Sequence, residues 1–343
     1  MFDLISIGDV TEDVFIQVDH AATLSCDARH TRVCHLEFPF GSKVGIKRVD
    51  KLLGGNAGNM AIGSSRLGLR AALYAEVGAD SQGELIYRSL KDNNVSTTYF
   101  FQHKGEKTNY SVVLYLKDDR TILVHHEKRH YRFPSLAPSR WVYLTSMAEG
   151  NQKIFLPLLR YLAKTKVKLG FNPGTFQLSL GLSKLKPILK RCTFLCLNKE
   201  EAQKLLANKS MDVRVLLRKL HETGPQIVVI TDGERGTYCY DGTQYLYCPI
   251  YDVPCLERTG AGDAFATGFL CALLYKKSIE EALCWGTINA ASVIQRIGPQ
   301  EGLICRSLLN KILNANPQFT ARVFQGAEVT THTVYHPQRY KTF

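Results

Sequence analysis

The sequence predicts an α/β protein built on a mostly parallel central sheet, with a small β-sheet standing apart from it as a lid. Three observations lead there. Short apolar runs ending in polar residues alternate with helical patterns over most of the 343 residues. Two segments, about 14–53 and 97–133, break that rhythm with strand-like alternation and no clear helix. Near the far end of the chain, a glycine-rich turn runs directly into an apolar helix, Thr259-Gly260-Ala261-Gly262-Asp263-Ala264-Phe265-Ala266.

Taken in order, residues 4–7 read as a first buried strand. The segment before it has no basic flank and no long apolar stretch, so it does not read as a secretion signal. Residues 44–52 alternate like a strand inside the first insertion. Residues 58–67 form a helical pattern rich in small side chains, followed by a strand at 71–77 and a helix near 83–93. The second insertion reads as a meander: 108–116, a turn at Lys117-Asp118-Asp119-Arg120, then 121–126. Four further apolar runs, 141–145, 167–172, 193–198 and 226–231, are separated by helical segments. In such sheets ligands bind beyond the carboxyl ends of the strands, where Asn172, Asn198 and Thr231 fall. The expected organisation is one domain over 1–320 with the lid formed by the two insertions, and a tail over 321–343.

A hydrophobic content of 45% with 22% charged residues fits a globular protein with a large core. No apolar run approaches the ~18 residues needed to span a membrane. Most of the ten cysteines sit inside apolar runs, the pattern of buried free thiols in a reducing cytoplasm. Cys26 and Cys34, with His30 and His35 nearby, match no standard zinc spacing. The net charge of +12 is spread along the chain, with a cluster at 127–132 and a basic tail. No nucleic-acid motif accompanies it, so a solvated basic surface is expected rather than a nucleic-acid partner.

The turn at 259–263 carries the chemistry. Glycines let backbone approach a ligand closely, and the first amides of a helix are unpaired with the positive dipole end behind them. That makes an anion site, most often for phosphate. A carboxylate there competes with the anion unless it removes a proton from a hydroxyl that attacks a phosphoryl group. Asp263 is placed for that task.

Motifs elsewhere extend this reading. Gly8-Asp9-Val10-Thr11-Glu12-Asp13, Gly54-Gly55-Asn56-Ala57-Gly58-Asn59, Asn172-Pro173-Gly174, Asn198-Lys199-Glu200-Glu201, Thr231-Asp232-Gly233-Glu234-Arg235-Gly236, Thr259 to Asp263 and Asn289-Ala290-Ala291 occur in that order. Together with Arg296-Ile297-Gly298, they resemble the ribokinase-like (PfkB) sugar and nucleoside kinases over roughly residues 3–305. The resemblance implies the three-layer ribokinase-like fold and phosphoryl transfer from ATP, with Mg2+, to the primary hydroxyl of a small sugar. Asp263 would be the general base and Gly260, Ala261 and Gly262 the anion hole. Asp13, Gly54, Gly55 and Asn59 would bind the sugar, with Asp9 the alternative to Asp13. Asn198, Thr231, Gly233, Gly236 and Asn289 would serve the nucleotide, and Glu201 would reach Mg2+ through water.

Glu257-Arg258 departs from the family pattern, in which an Asp and a small residue are usual. Glu257 is thus a candidate ligand of a monovalent cation, and K+ dependence is open. Within the same chemistry, Phe38 and Phe40 leave room for a nucleoside, and the basic cluster at 128–132 for a sugar acid. A binding protein that kept the fold and lost catalysis is the alternative from another class. A homodimer paired through the lid edges is expected.

Overall fold

The structure, a computed structural model, describes residues 1–18, 23–27, 33–116, 119–324 and 334–337. The chain opens with β1 (Phe2–Ile7), β2 (Thr11–Val18), β3 (Thr23–Asp27), β4 (Val33–Glu37) and β5 (Ile46–Gly54). It continues through α1 (Asn56–Arg66), β6 (Ala71–Gly78), α2 (Ser81–Asp92), β7 (Ser96–His103), β8 (Asn109–Leu116) and β9 (Asp119–His125). Next come β10 (Ser139–Leu144), α3 (Phe155–Lys164), β11 (Lys168–Phe171), α4 (Thr175–Ser179), α5 (Leu182–Leu189), β12 (Cys192–Asn198), α6 (Lys199–Leu205) and α7 (Val213–His221). The last part holds β13 (Ile227–Thr231), β14 (Thr237–Tyr240), β15 (Tyr245–Cys248), β16 (Ile250–Tyr251), α8 (Ala261–Leu274), α9 (Ile279–Val293), α10 (Arg306–Ala315), β17 (Arg322–Val323) and β18 (Val334–Tyr335).

Ten strands form the main sheet in the order β17-β15-β14-β13-β12-β11-β10-β1-β6-β7. Pairing is parallel from β7 to β13 and antiparallel from β14 outward. Helices cover both faces. Leu158, Ile188, Leu216 and Leu220 close one side with Val142, Leu195 and Val228, whereas Phe269, Leu270, Leu283 and Ile288 close the other with Phe194 and Val229. A three-layer α/β/α body results, as the sequence pattern predicts.

The helix carrying Asp263 is held tightly within that body. Phe269 of α8 stacks on Phe194 of β12 with ring centroids 4.6 Å apart. A Cβ on Gly268 would come within 2.6 Å of the Trp285 carbonyl, so only glycine allows α8 and α9 to pack this closely. α8 is apolar nearly all round because it lies between the sheet and α9.

A second sheet of four strands, ordered β5-β2-β8-β9, stands apart. It differs from the sequence expectation in two places. The polar start of β2, Thr11-Glu12-Asp13, reads as a turn but is strand, paired to both β5 and β8. The expected start of the second insertion, near 97, falls inside β7, which pairs parallel with β6 as the edge of the main sheet. Part of the expected tail is also ordered into sheets: β17 pairs with β15, and β18 with β16. Lys117 and Asp118 of the expected turn lie outside the described residues. So does His30, and with it the side chains of Cys26, Cys34 and His35. Among the described residues no helix is long and apolar enough to cross a membrane.

Candidate active site

A cavity of about 440 Å3 opens where the carboxyl ends of the parallel strands face the small sheet. Asp9 follows β1, Ser146 follows β10, Asn172 follows β11, and Asn198 and Thr231 end β12 and β13; all five line it. The small sheet supplies Asp13, Ser111, Arg120, Ile122 and His126, and the start of α8 supplies Gly260, Gly262 and Asp263.

Asp263 sits in the first turn of α8, shortly after Gly260, which takes a left-handed φ of 79°. A Cβ on Gly260 would run into Pro299, so the turn is closed to any larger residue. A Cβ on Gly262 would meet nothing within 4 Å. The chain does not need that glycine for packing, and the space beside it is open to a ligand.

Asn59 Nδ2 donates to Asp263 Oδ2 at 2.8 Å. Gln300 Nε2 fixes Asn59 in turn by donating to its Oδ1 at 3.0 Å. Burial pushes the Asp263 carboxyl up to about 6, against the hydrogen bonds from Asn59 and Asn56 that favour its charged form.

Asp13 lies opposite Leu52 in β5 and Ser111 in β8. Its Oδ2 occupies the space a Cβ on Gly54 would fill, which is why that position is glycine. Gly55 has φ 86°, and a Cβ there would reach 2.5 Å from Val10 Cα. Burial raises Asp13 to about 6, and the charges of Asp263 and Glu257 add to the rise while Ser111 and Thr11 oppose it. Asp9 is differently employed: it accepts from the Tyr131 hydroxyl at 2.8 Å and from the Ala148 amide at 2.7 Å.

Asn198 and Glu201 form a capping box at the start of α6, each side chain accepting from the other's backbone amide at 2.8 and 2.9 Å. Burial lifts Glu201 to about 7, with Asp263 contributing. Glu257 is buried. Its Oε1 accepts from the Thr259 amide at 2.7 Å and the Thr259 hydroxyl at 2.6 Å, and lies 3.3 Å from Arg120 Nε. Its Oε2 is buried without a hydrogen-bond partner. Arg258 Nη2 donates to Glu234 at 2.7 Å.

Some expected residues do not join the cavity. Asn289 is fully buried in α9, where its Nδ2 donates to the Ala264 carbonyl at 2.7 Å and its Oδ1 accepts from the Ile304 amide at 3.4 Å. It ties α9 to α8 and is spent on backbone. Gly233 and Gly236, both at positive φ, shape the turn after Thr231 without lining the cavity. Phe38 and Phe40 are exposed and line no wall of it. The basic cluster stays outside the cavity: Arg129 is buried against Glu106 and the Lys107 carbonyl, Lys128, His130 and Arg132 are exposed, and none of residues 127–132 lines the cavity. Gln300, Ser111, Arg120 and His126 are site residues that sequence reasoning missed, since no local pattern marks them; Asn56, within the Gly54–Asn59 motif, joins the cavity as well.

The model of the pfkB family carbohydrate kinases matches residues 25–304. This chain belongs to the PfkB family. PfkB kinases transfer a phosphoryl group to an alcohol, and this protein is a phosphotransferase of that class. It is 29% identical to an uncharacterized sugar kinase of Archaeoglobus fulgidus over 248 residues, covering 71% of this chain and 98% of that one. It is 27% identical to ribokinase of Mus musculus over 262 residues, covering 72% and 80%. Arabidopsis thaliana ribokinase, solved with ribose and ATP, matches it with a TM-score of 0.73 at 20% identity, over 90% of this chain and 98% of the other. This PfkB kinase therefore shares the ribokinase-like fold expected from its motifs.

Proposed function

We propose that this kinase transfers the γ-phosphoryl group of ATP to the primary hydroxyl of a small sugar. The observation that carries the proposal is the meeting of Asp263, the open helix start beside it and the polar wall of Asp13, Asn59 and Ser111 in one cavity. Asp13 and Asn59 bind sugar hydroxyls, the carboxylate accepting and the amide orienting. Asp263 takes the hydroxyl proton as the new O–P bond forms and the bond to the β-phosphate oxygen breaks. The amides of Gly260, Ala261 and Gly262 receive the charge on the transferring oxygens.

A raised carboxyl suits this role, because a base that ionises near neutral pH accepts a proton more readily than an ordinary aspartate. Thr231 and the turn through Gly233 and Gly236 border the nucleotide side. Mg2+ supplies charge neutralisation on the phosphates when bound. Glu201 fits it as an oxygen donor facing the cavity, since one of its oxygens alone is spent on the capping box. The unpartnered Glu257 Oε2 fits a monovalent cation such as K+.

A sugar is favoured over a nucleoside because the aromatic side chains that would serve a base, Phe38 and Phe40, lie at the surface. The small sheet forms the lid, and its exposed Leu123, which does not line the cavity, suits pairing with a second copy. The test is ATP consumption by the purified protein with Mg2+ over a panel of sugars, sugar acids and nucleosides. No turnover with any would overturn the catalytic reading in favour of a binding protein. Turnover with nucleosides alone would overturn the sugar assignment.

A further inference from the structure

A second cavity, of about 570 Å3, lies at the opposite end of the main sheet. Ser139 and Trp141 of β10 and Lys168 of β11 line it from the amino ends of their strands, with Leu273 from the end of α8 and Lys276 just beyond. The catalytic cavity lies at the carboxyl ends of the same strands, so the two do not merge. α8 runs from one to the other, ~20 Å over its length.

The chemistry of this cavity is one-sided. Its walls are mainly apolar, with Trp141, Tyr161 and Leu273 among them. At its rim stand Lys166, Lys168 and Lys276, none with an ion-pair partner among the described residues. The Lys168 ammonium rests 5.6 Å over the Trp141 ring. Arg140, by contrast, is spent on the Leu274 carbonyl at 2.7 Å and on Asp3 at 3.5 Å, where it offsets the negative end of α8.

We propose that this cavity is a second ligand site that takes a nucleoside phosphate. A flat, mostly apolar base suits the aromatic and aliphatic walls. The phosphate meets three lysines whose charge no described residue neutralises. The volume is of the size that holds such a ligand.

Equilibrium dialysis with ADP tests this without reference to turnover. The wild-type chain, the double variant Lys168→Glu/Lys276→Glu and Leu273→Trp, which fills the cavity and leaves the lysines, are compared. The number of ADP bound per chain is expected to fall by one in both variants, or that site to weaken at least tenfold, whatever the catalytic cavity holds. Phosphorylation rates at saturating substrate should stay unchanged. An unchanged count in both variants would overturn the proposal. Equal binding of inorganic phosphate and ADP at this site would overturn the nucleoside assignment.

Discussion

Replacing Asp263 with Asn should weaken the enzyme and strengthen the fold at once. The carboxyl ionises near 6 rather than at its ordinary value of 3.8, because burial disfavours its charge. That gap of about 2 units corresponds to about 3 kcal/mol at 1.36 kcal/mol per unit. Asp263 keeps some contact with the solvent of the cavity, so about 1–3 kcal/mol is the expected cost. A folded-state value raised above the unfolded one means that ionisation penalises the native state. The penalty is complete above about pH 6 and disappears as pH falls toward 3.8. The amide isostere removes the charge and can still accept the Asn59 hydrogen bond. The variant should therefore melt roughly 1–4 °C higher than wild type at pH 8, given the entropy of unfolding of a chain this long. At pH 4 the difference should vanish. Loss of the base should lower kcat by about 10²–10⁴-fold. Calorimetry at the two pH values and a coupled ATPase assay read both effects. Retained turnover would remove Asp263 from the base role. A fall in Tm at pH 8 would show that the carboxylate supports the fold, and the charge-burial reasoning would fail.

Other outcomes follow from the same geometry. With wild-type enzyme, kcat/KM should rise with pH through about 6 to about 7, where Asp13, Asp263 and then Glu201 ionise, and level off above that; a flat profile between pH 5 and 8 would contradict their roles. Gly262→Ala should keep or slightly raise Tm, since a Cβ there meets nothing and alanine favours helix, while phosphoryl transfer drops at least tenfold. Asn289→Ala should lower stability by about 1–3 kcal/mol, the cost of orphaned buried backbone groups, and leave the KM for ATP within a factor of about two. If the small sheet pairs two copies, Leu123→Glu should convert dimer to monomer in light scattering without changing the melting of the main body.

The sheet and its helices were legible because parallel strands buried on both faces are continuous apolar runs, and β1, β10, β12 and β13 are that kind. β2 was not. Its first residues, Thr11 to Asp13, are polar, and Thr11 and Asp13 face the cavity, so the strand signal is erased where function replaces packing. Asn289 failed for the converse reason. The resemblance puts it beside the nucleotide, yet α9 is buried along nearly its whole length and its asparagine serves the backbone of α8 and of the loop before α10.

The glycines were legible as motifs, while their reasons lie elsewhere in the chain. Gly54 is glycine because Asp13 lies against it, and the pairing of β2 with β5 alone brings those residues together. Glu257 carries the same lesson further. By the family resemblance it is a candidate ligand of a monovalent cation. In the fold, one of its oxygens holds the amide and hydroxyl of Thr259 and also faces Arg120 from β9. The small sheet is thereby joined to the residue that opens the turn before α8. A displacement of β9 that withdraws Arg120 leaves a buried carboxylate with less compensation, and such a charge is costly to leave unpaired. The position of the small sheet and the shape of the turn at Thr259 and Gly260 are therefore energetically linked, through a contact that no spacing in the sequence announces.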